Sequence, residues 1–316
     1  MKLEGLVLKS TGMWYKVQTD EGILECRIRG KLRLKGIKST NPVAVGDRVL
    51  IDTDNTEEGQ AAITKLLERK NYIVRKSVNL SKQNQILAAN VDQALLVATL
   101  SHPQTHIPFI DRFAVSAEAY SIPFVLVFNK VDIYGEEQKD ELEYLRIVYE
   151  QAGYTVLEVS AKEGTGLEDL KALLQGKVSL LAGHSGVGKS TLANKIDPRL
   201  DLKTNVISQS HEQGQHTTTF AEMHALPEGG YLIDSPGIRG FGLFNMDAQE
   251  IGDYFPEIFR ISGDCKFNNC LHQHEPGCAV KTAVEAHKLA FTRYESYLNF
   301  IKGDDDEHYR KDIYAN

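Results

Sequence analysis

The sequence lacks the features by which membrane and secreted proteins are usually recognised. No apolar run approaches the ~20 residues that a membrane-spanning helix needs. The amino terminus has neither the long apolar core nor the small-residue cleavage site of a signal peptide. Cysteine is scarce, with 4 residues in a chain of 316, which is too few for a secreted disulfide scaffold. We therefore expect a cytoplasmic protein that does not bind a membrane, with a monomer as the default.

Charge is unevenly divided along the chain. The net charge is −7, yet residues 1–76 carry 15 Lys and Arg against 10 Asp and Glu. The first quarter is therefore basic by 5 charges and the remainder acidic by 12. A basic module on an acidic body indicates a localised contact with a polyanion. The 42% of hydrophobic residues suffices for a buried core, and a chain of this length allows about two or three domains.

Five short β-like segments at close spacing occupy residues 1–70 and predict a small OB-like barrel. They read EGLVLKS, WYKVQT, ILECRIRG, VGDRVLI and AAITKLLE. From the third segment onward, basic residues occupy every second position, so an extended chain projects them to one face. The row consists of Arg27, Arg29, Lys31, Arg33 and Lys35. It is interpreted either as a surface that binds nucleic-acid phosphates or as an ordinary solvated strand face.

Residues 71–244 have a different sequence pattern, in which apolar runs typical of buried parallel strands alternate with helix-like stretches. The apolar runs are QALLVATL, FVLVFNK, TVLEVSAK, KVSLLAG and YLIDSPG. The helix-like stretches lie near 109–119, 136–152, 167–174 and 188–196. This alternation predicts an α/β layered domain. In residues 245–316 a Cys/His cluster precedes a long predicted helix over about 279–301, which indicates a third, helical domain.

GHSGVGKS, at residues 183–190, fits the G-x-x-x-x-G-K-[ST] pattern of a phosphate-binding loop between a strand and a helix. Its glycines let backbone N–H groups surround phosphate oxygens, Lys189 supplies positive charge to the β- and γ-phosphates, and Ser190 ligates Mg²⁺. The predicted phosphate-binding residues are Gly183, His184, Ser185, Gly186, Val187, Gly188, Lys189, Ser190 and Thr191. Farther along, DSPG places Asp234 near the Mg²⁺ and the Gly237 N–H near the γ-phosphate.

Two motifs typical of guanine recognition precede this loop. In NKVD, the Asp132 carboxylate can accept from guanine N1–H and N2–H₂, a donor pair that adenine lacks. In VSAK, the Ala161 N–H is placed to meet guanine O6. The predicted base-binding residues are Asn129, Lys130, Val131, Asp132, Ser160, Ala161 and Lys162. The motifs end consecutive strands in their usual mutual order, so the parts of a GTPase are present with the base loops ahead of the phosphate loop.

In this combination the chain closely resembles the circularly permuted, small-ribosomal-subunit-dependent GTPases of bacteria, the RsgA type. The resemblance is carried by the amino-terminal barrel, NKVD, SAK, GHSGVGKST, GQHTTT, DSPG and the Cys/His cluster. It implies a circularly permuted Ras-like P-loop domain that hydrolyses GTP to GDP and phosphate with Mg²⁺. It also implies binding to the small (30S) subunit and its 16S rRNA, and a role in late maturation of that subunit.

The position that often carries a water-orienting Gln, directly after the D-x-x-G glycine, holds Ile238. Intrinsic hydrolysis is therefore expected to be slow. His216 in GQHTTT is the candidate for orienting or deprotonating the water, in a position that resembles the family's proposed catalytic histidine. The alternative is that His216 only helps to dock the switch segment. One threonine among residues 217–219 is expected to ligate Mg²⁺ when GTP is bound, and Thr218 is the one predicted here. Besides His216, Lys189 is the second predicted catalytic residue.

The third domain contains the pattern C-x4-C-x-H-x5-C, formed by Cys265, Cys270, His272 and Cys278. Three thiolates and an imidazole suit a closed, tetrahedral, structural zinc site. His274 is the rival ligand, and the family spacing favours His272. Cys26 is interpreted as a core or surface residue of the barrel.

Two other classes of function are compatible with parts of the pattern. A P-loop ATPase or kinase would share GHSGVGKS, but Asp132 in NKVD argues against adenine. An RNA-binding scaffold could hold GTP as a structural ligand without hydrolysing it.

Overall fold

The computed structural model describes residues 2–28, 42–54, 61–76, 84–202, 221–234 and 247–303. Within these ranges the buried apolar residues form four clusters. One fills a barrel, two cover the opposite faces of a parallel sheet, and one lies among carboxy-terminal helices. No helix in the described ranges is long and apolar enough to cross a membrane.

The first module is a five-stranded barrel. Its strands are β1 (Lys2–Ser10), β2 (Tyr15–Thr19), β3 (Gly22–Ile28), β4 (Arg48–Asp52) and β5 (Ala61–Leu66). They are ordered β1-β2-β3-β5-β4, and β4 pairs back to β1, which closes the barrel. Burial alternates along the strands, as a filled barrel interior requires, with Tyr15 and Val17 inside and Lys16 exposed between them. The predicted barrel is confirmed.

The second module is built on five parallel strands, namely β8 (Gln93–Ala98), β9 (Phe124–Phe128), β10 (Thr155–Glu158), β11 (Val178–Ala182) and β13 (Tyr231–Asp234). Their order is β10-β9-β8-β11-β13. The helices are α1 (Ile107–Ala119), α2 (Glu136–Ala152), α3 (Leu167–Leu174) and α4 (Lys189–Ile196), with short 3₁₀ turns at Val131–Ile133 and Pro198–Leu200. The central strands are buried on both faces, which explains their continuous apolar runs. The predicted α/β domain is confirmed.

Three strands of the fold carry no strong sequence signal. The strands β6 (Tyr72–Lys76) and β7 (Asn84–Ala89) form a separate antiparallel pair. The strand β12 (Glu222–Ala225) pairs antiparallel with β13 and also with β1, where Lys9 lies opposite Glu222. The Lys9 Nζ and a Glu222 carboxylate oxygen are 2.6 Å apart. Because of β12, the barrel and the parallel strands belong to one continuous sheet.

The third module contains α5 (Ala248–Asp253), α6 (Pro256–Ser262), α7 (Ala279–Glu285) and α8 (Phe291–Lys302). The prediction of a single long helix over about 279–301 is therefore wrong, because the helix is interrupted between α7 and α8. His287 has a left-handed φ of 55°, and the Lys288 N–H donates to the Ala283 carbonyl at 2.8 Å. This is the hydrogen-bond pattern of a Schellman helix end, here without the usual glycine. This change of direction places the Leu289 side chain in the buried apolar cluster of the module.

A buried ionic cluster joins the third module to the second. The Arg293 guanidinium, on α8, donates to Asp111 of α1 at 2.5 Å and to Glu257 of α6 at 2.6 Å. The Tyr149 hydroxyl, on α2, donates to the same Asp111 oxygen at 2.6 Å. Arg293 is only 1% exposed and lies over the rings of Phe255 and Tyr149. We call these charged and hydroxyl groups (Arg293, Asp111, Glu257 and Tyr149) the Arg293 cluster.

Replacing Arg293 by Met keeps most of the side-chain volume but leaves two buried carboxylates without their cation. We expect the free energy of unfolding to fall by about 3–5 kcal/mol, the usual cost of removing one partner of a buried ion pair. The matched control is Arg146→Met. Arg146 forms ion pairs with Glu143 and Glu150 on the surface, where solvent screens them, so its loss should lower the stability much less. Chemical denaturation measures both variants. Equal losses in the two would contradict a structural role for the cluster.

Candidate nucleotide site and metal centre

The loops that carry the predicted nucleotide motifs all leave the same edge of the sheet. NKVD follows β9, VSAK follows β10, GHSGVGKS follows β11, and Asp234 ends β13. Because these strands are parallel, their carboxyl ends meet at one edge, where ligands bind in open α/β sheets. The order of the strands along the chain therefore does not matter for the site, because the strand ends bring the motifs to one edge of the sheet.

The phosphate loop is held in shape by glycines in left-handed backbone conformations. Gly188 has a φ of 94° and caps the amino end of α4, which begins at Lys189. A side chain at Gly188 would place its Cβ 2.4 Å from the Asn129 Nδ2. The Lys189 ammonium donates to the carbonyls of Gly183 and His184 at 2.7 and 2.6 Å. The loop thus presents a helix amino terminus and a lysine, the two features that attract phosphate.

Asn129 connects the three predicted loops. Its Nδ2 donates to the Val187 carbonyl of the phosphate loop at 2.8 Å, and its Oδ1 accepts the Ala161 N–H of VSAK at 3.1 Å. The side chain is only 1% exposed. A buried carboxamide that uses both ends in this way fixes the two loops against each other. The Ala161 N–H that was predicted to meet guanine O6 therefore already has a protein acceptor.

Asp132 lies beside the serine of VSAK. The Ser160 hydroxyl donates to one Asp132 oxygen at 2.6 Å and in turn accepts the Glu163 N–H at 3.0 Å. The Lys162 ammonium lies 4.0 Å from the other Asp132 oxygen. These contacts orient the carboxylate, and the second oxygen has the Lys162 ammonium as a distant cation partner. The two predicted base motifs are therefore brought together.

Lys130 spans the site in an unusual backbone conformation, with a φ of 66°. Its ammonium donates to the Gly186 carbonyl at 2.7 Å and to the His102 carbonyl in the loop after β8. Burial lowers the pKa of this ammonium, and Asp132 opposes the shift. Lys130 therefore links NKVD to the phosphate loop and to a segment that the sequence motifs did not single out.

Two aromatic residues of the site escaped the motif analysis. The Phe109 ring packs on the His184 imidazole of the phosphate loop with centroids 3.8 Å apart. The Tyr134 hydroxyl donates to the Asn129 carbonyl at 2.7 Å. Neither residue belongs to a nucleotide-binding motif. Tyr134 lies two residues after NKVD, whereas Phe109 lies 20 residues before this motif and carries no signal in the sequence.

The predicted Mg²⁺ ligands are partly described. Asp234 ends β13 in register with Leu181 of β11, beside the start of the phosphate loop. Burial raises the pKa of its carboxyl, while the charges of Lys189 and His224 act in the opposite direction. Ser190 lies in the first turn of α4. Thr218, Gly237 and the catalytic candidate His216 lie outside the described residues.

The Cys/His cluster of the third module has the geometry of a metal site. The ligand atoms of Cys265, Cys270, His272 and Cys278 all lie within 4.8 Å of one another. The His272 Nδ1 is 3.6 Å from the Cys265 Sγ and 3.4 Å from the Cys278 Sγ. His272 is buried, whereas His274 is exposed and lies outside this group. Three sulfur atoms and one nitrogen converging on a point fit a tetrahedral metal ion.

The predicted basic row is described only at its first residue. Arg27 is exposed on β3, and its guanidinium lies over the Trp14 ring at 3.7 Å from the centroid. Arg29, Lys31, Arg33 and Lys35 lie outside the described residues. Cys26 is buried in the barrel core, and burial raises the pKa of its thiol to about 11.

Comparisons with known proteins point to the same family for the barrel, for the GTPase domain and for the chain as a whole. A family model described as "RsgA GTPase" matches residues 66–244, and one described as "RsgA N-terminal domain" matches residues 4–61. The chain is 56% identical over 309 residues to "Small ribosomal subunit biogenesis GTPase RsgA 2" of Bacteroides thetaiotaomicron, covering 98% of this chain and 99% of the relative. It is 54% identical over 314 residues to a Flavobacterium psychrophilum protein of the corresponding name, covering 99% and 96%.

Solved structures give the same result. The crystal structure of YjeQ from Thermotoga maritima superposes with a TM-score of 0.79 at 35% identity, covering 96% of this chain and 98% of the other. The structure of YloQ, described as a circularly permuted GTPase, superposes with a TM-score of 0.74 at 28% identity, covering 97% and 96%.

Gly188→Ala tests whether the position of Asn129 matters for nucleotide binding. The added Cβ must displace the Asn129 carboxamide, so we expect guanine-nucleotide affinity to fall roughly tenfold or more. Gly176→Ala is the control, because Gly176 also has a positive φ, and no atom of the described residues lies within 4 Å of the place that the added methyl group would occupy. Both variants place a side chain at a positive φ, but only the first requires Asn129 to move. Equilibrium titration with GDP measures the difference, and equal affinities in the two variants would contradict the expectation.

Proposed function

Because the chain belongs to the RsgA family of circularly permuted GTPases, we propose that the small (30S) ribosomal subunit stimulates its hydrolysis of GTP and that it acts in late maturation of that subunit. The chain is a GTP hydrolase with an amino-terminal barrel, a permuted GTPase domain and a helical region with a Cys₃His cluster. The observation that carries the proposal is the 56% identity over 98% of the chain to a small ribosomal subunit biogenesis GTPase. The Asn129 carboxamide, which joins both base motifs to the phosphate loop, supports the guanine-nucleotide site on which it depends. We propose domains at residues 1–70, 71–244 and 245–316.

Guanine selection is assigned to the Asp132 carboxylate. Its orientation by the Ser160 hydroxyl leaves an acceptor surface for guanine N1–H and N2–H₂, and adenine offers no matching pair of donors. Lys130 and Lys162 flank the base. The Ala161 N–H, now bonded to the Asn129 Oδ1, would reach guanine O6 by sharing its hydrogen bond between the two acceptors.

The phosphates are assigned to the amino terminus of α4 and to Lys189. Ser190, Thr218 and Asp234 would hold the Mg²⁺ that accompanies GTP. The burial of Asp234 beside the phosphate loop fits that role, because a buried carboxylate needs a nearby cation to stay charged. When bound, Mg²⁺ neutralises charge that develops on the phosphate oxygens. The Gly237 N–H is assigned to the γ-phosphate.

Hydrolysis needs a group that positions the attacking water. Ile238 stands where many GTPases have glutamine and has no polar atom for the task. His216 is assigned this role, as a residue that orients the water or accepts its proton once the small subunit orders the site. Slow turnover in isolation and fast turnover on the ribosomal subunit follow from this assignment.

The barrel is assigned to rRNA, and the metal site to structure. Arg27 and Trp14 place a cation next to an aromatic ring on the barrel, and side chains of these two kinds commonly bind RNA. The basic residues that follow Arg27 in the sequence continue to occupy every second position. The Cys₃His cluster would hold one zinc ion in a closed site, because all four positions are taken by protein ligands. The protein is proposed to act in the cytoplasm as a monomer.

His216→Ala should lower GTP hydrolysis stimulated by the small subunit by about 10²-fold, the lower end for loss of a general base, with GTP affinity unchanged. Single-turnover assays with and without small subunits measure this. His211→Ala, in the same segment of the chain, is the control. Unchanged stimulated turnover in His216→Ala would remove His216 from the mechanism. Hydrolysis that subunits do not accelerate in the unmodified protein would favour a scaffold that holds GTP, and competition by ATP would favour an ATPase.

Freshly purified protein should contain one zinc ion per chain by elemental analysis. Cys278→Ala should lose the metal and melt at a lower temperature, since the site closes the loop between α6 and α7. Cys26→Ala, which removes a buried thiol from the barrel, should keep its zinc. Clearly less than one zinc per chain in the unmodified protein would contradict the assignment.

A further inference from the structure

We propose that Tyr134 is a positioning residue for guanine recognition, acting through the backbone of NKVD and the loop that follows β8. The inference rests on the proposed guanine site. Tyr134 directly follows the 3₁₀ turn Val131–Ile133 and is only 6% exposed. Its ring lies in the core cluster between the sheet and helices α1 and α2.

The Tyr134 hydroxyl cross-links the ends of two neighbouring strands. It donates to the Asn129 carbonyl at 2.7 Å and accepts the Leu100 N–H at 3.0 Å. Asn129 directly follows β9, and Leu100 lies two residues after β8. Burial raises the pKa of the Tyr134 hydroxyl to about 12, so it keeps its proton and remains a donor at neutral pH. Among the described residues, the Tyr134 hydroxyl is the hydrogen-bond partner of both backbone groups, and without it both would be left buried and unpaired there.

The first of these bonds fixes the peptide that leads into Lys130. The Asn129 carbonyl belongs to the Asn129–Lys130 peptide unit, and Lys130 has a left-handed φ of 66°. A lysine is not favoured in that conformation, so the surrounding contacts must hold it there. The same peptide leads from Asn129 through Lys130 to Asp132, so a change in its orientation would be transmitted to the backbone that carries the Asp132 carboxylate.

The second bond fixes the segment that receives the Lys130 side chain. Leu100 leads into residues 101–106, and the His102 carbonyl in that segment accepts from the Lys130 ammonium. The Thr99 hydroxyl donates to the Pro103 carbonyl and closes the base of the same segment. One hydroxyl therefore positions both the backbone that carries Lys130 and the backbone that its side chain contacts.

The alternative is that Tyr134 is an ordinary core residue whose hydroxyl merely satisfies two backbone groups. The two interpretations differ in what the hydroxyl controls. A core residue would affect the melting temperature alone. A positioning residue would affect nucleotide affinity at temperatures where the variant is fully folded.

Tyr134→Phe removes the hydroxyl and keeps the ring. We expect GDP affinity to fall roughly tenfold, because two buried backbone groups lose their partner and NKVD can relax. The KM for GTP should rise with kcat unchanged, since the base is held equally in the ground and transition states. The control is Tyr144→Phe, on the exposed face of α2, whose hydroxyl contacts only Thr292 at 3.3 Å among the contacts described. A lower melting temperature with unchanged GDP affinity would overturn the proposal.

The variant Asp132→Asn distinguishes a failure of the proposed guanine site from a failure of the role proposed for Tyr134. Asn offers an amide donor, so this variant should lose GDP and gain xanthosine diphosphate, whose C2 carries a carbonyl. If Asp132→Asn leaves GDP binding unchanged, the site assignment itself fails. If Asp132→Asn behaves as expected and Tyr134→Phe binds GDP normally, only the role of Tyr134 fails.

Hydrogen exchange in the unmodified protein covers the case in which Tyr134→Phe does not fold. GDP should slow exchange of the Leu100 amide, because binding at NKVD holds the Tyr134 hydroxyl in place. ADP at the same concentration is the control ligand and should have no effect. Exchange of the Leu100 amide that is insensitive to GDP would overturn the proposal.

Discussion

The nucleotide site depends on the carboxamide of Asn129. Its two ends bond to residues that lie 58 and 32 positions away along the chain. These contacts hold the phosphate loop and the two base loops together although the loops lie far apart along the chain. The site needs only that the strand ends meet, and the parallel sheet provides this whatever the order of the strands. Gly188 then becomes obligatory, because any larger residue would occupy the space of the carboxamide.

The permutation changes which modules are attached to which part of the site. The strand β12 follows the segment that contains GQHTTT and pairs with β1 of the barrel, with Lys9 and Glu222 in contact. The chain beyond Asp234 leads into the helices of the third module instead of back into the sheet. One segment expected to respond to the γ-phosphate therefore leads into a strand that pairs with the barrel, and the other leads towards the helices of the third module. This would give the nucleotide state a short physical route to both modules.

Local patterns in the sequence were sufficient for most of the fold and for the motifs of the site. Buried parallel strands appear as apolar runs, and NKVD, VSAK, GHSGVGKS and the cysteine spacing each have a chemistry that requires those residues. The family, the barrel and the GTPase domain were predicted correctly on this basis. The roles of the individual site residues, among them His216, Thr218 and the basic row that begins at Arg27, stay predictions.

Features that depend on contacts between distant residues were not predictable. The strand β12 has four residues and only partial burial, so its pairing with β1 leaves no periodic signal. The break between α7 and α8 occurs at His287, without the glycine or proline that usually marks a helix end. Tyr134 could be recognised only once Asn129 and Leu100 were seen on either side of its hydroxyl.

Helix α8 connects the metal site to the GTPase domain through adjacent turns. The Tyr294 and Tyr297 hydroxyls donate to the carbonyls of His272 and Leu271, which fixes the loop that carries the metal ligands. Arg293, one residue earlier than Tyr294, reaches Asp111 on α1. A buried arginine between two carboxylates costs desolvation energy that an apolar contact would avoid, but its directional bonds permit few alternative orientations of α8. A metal ion held by the Cys/His cluster and the Arg293 cluster would therefore both constrain α8. The third module is in this way coupled rigidly to α1, the helix that begins beside the phosphate loop where Phe109 meets His184.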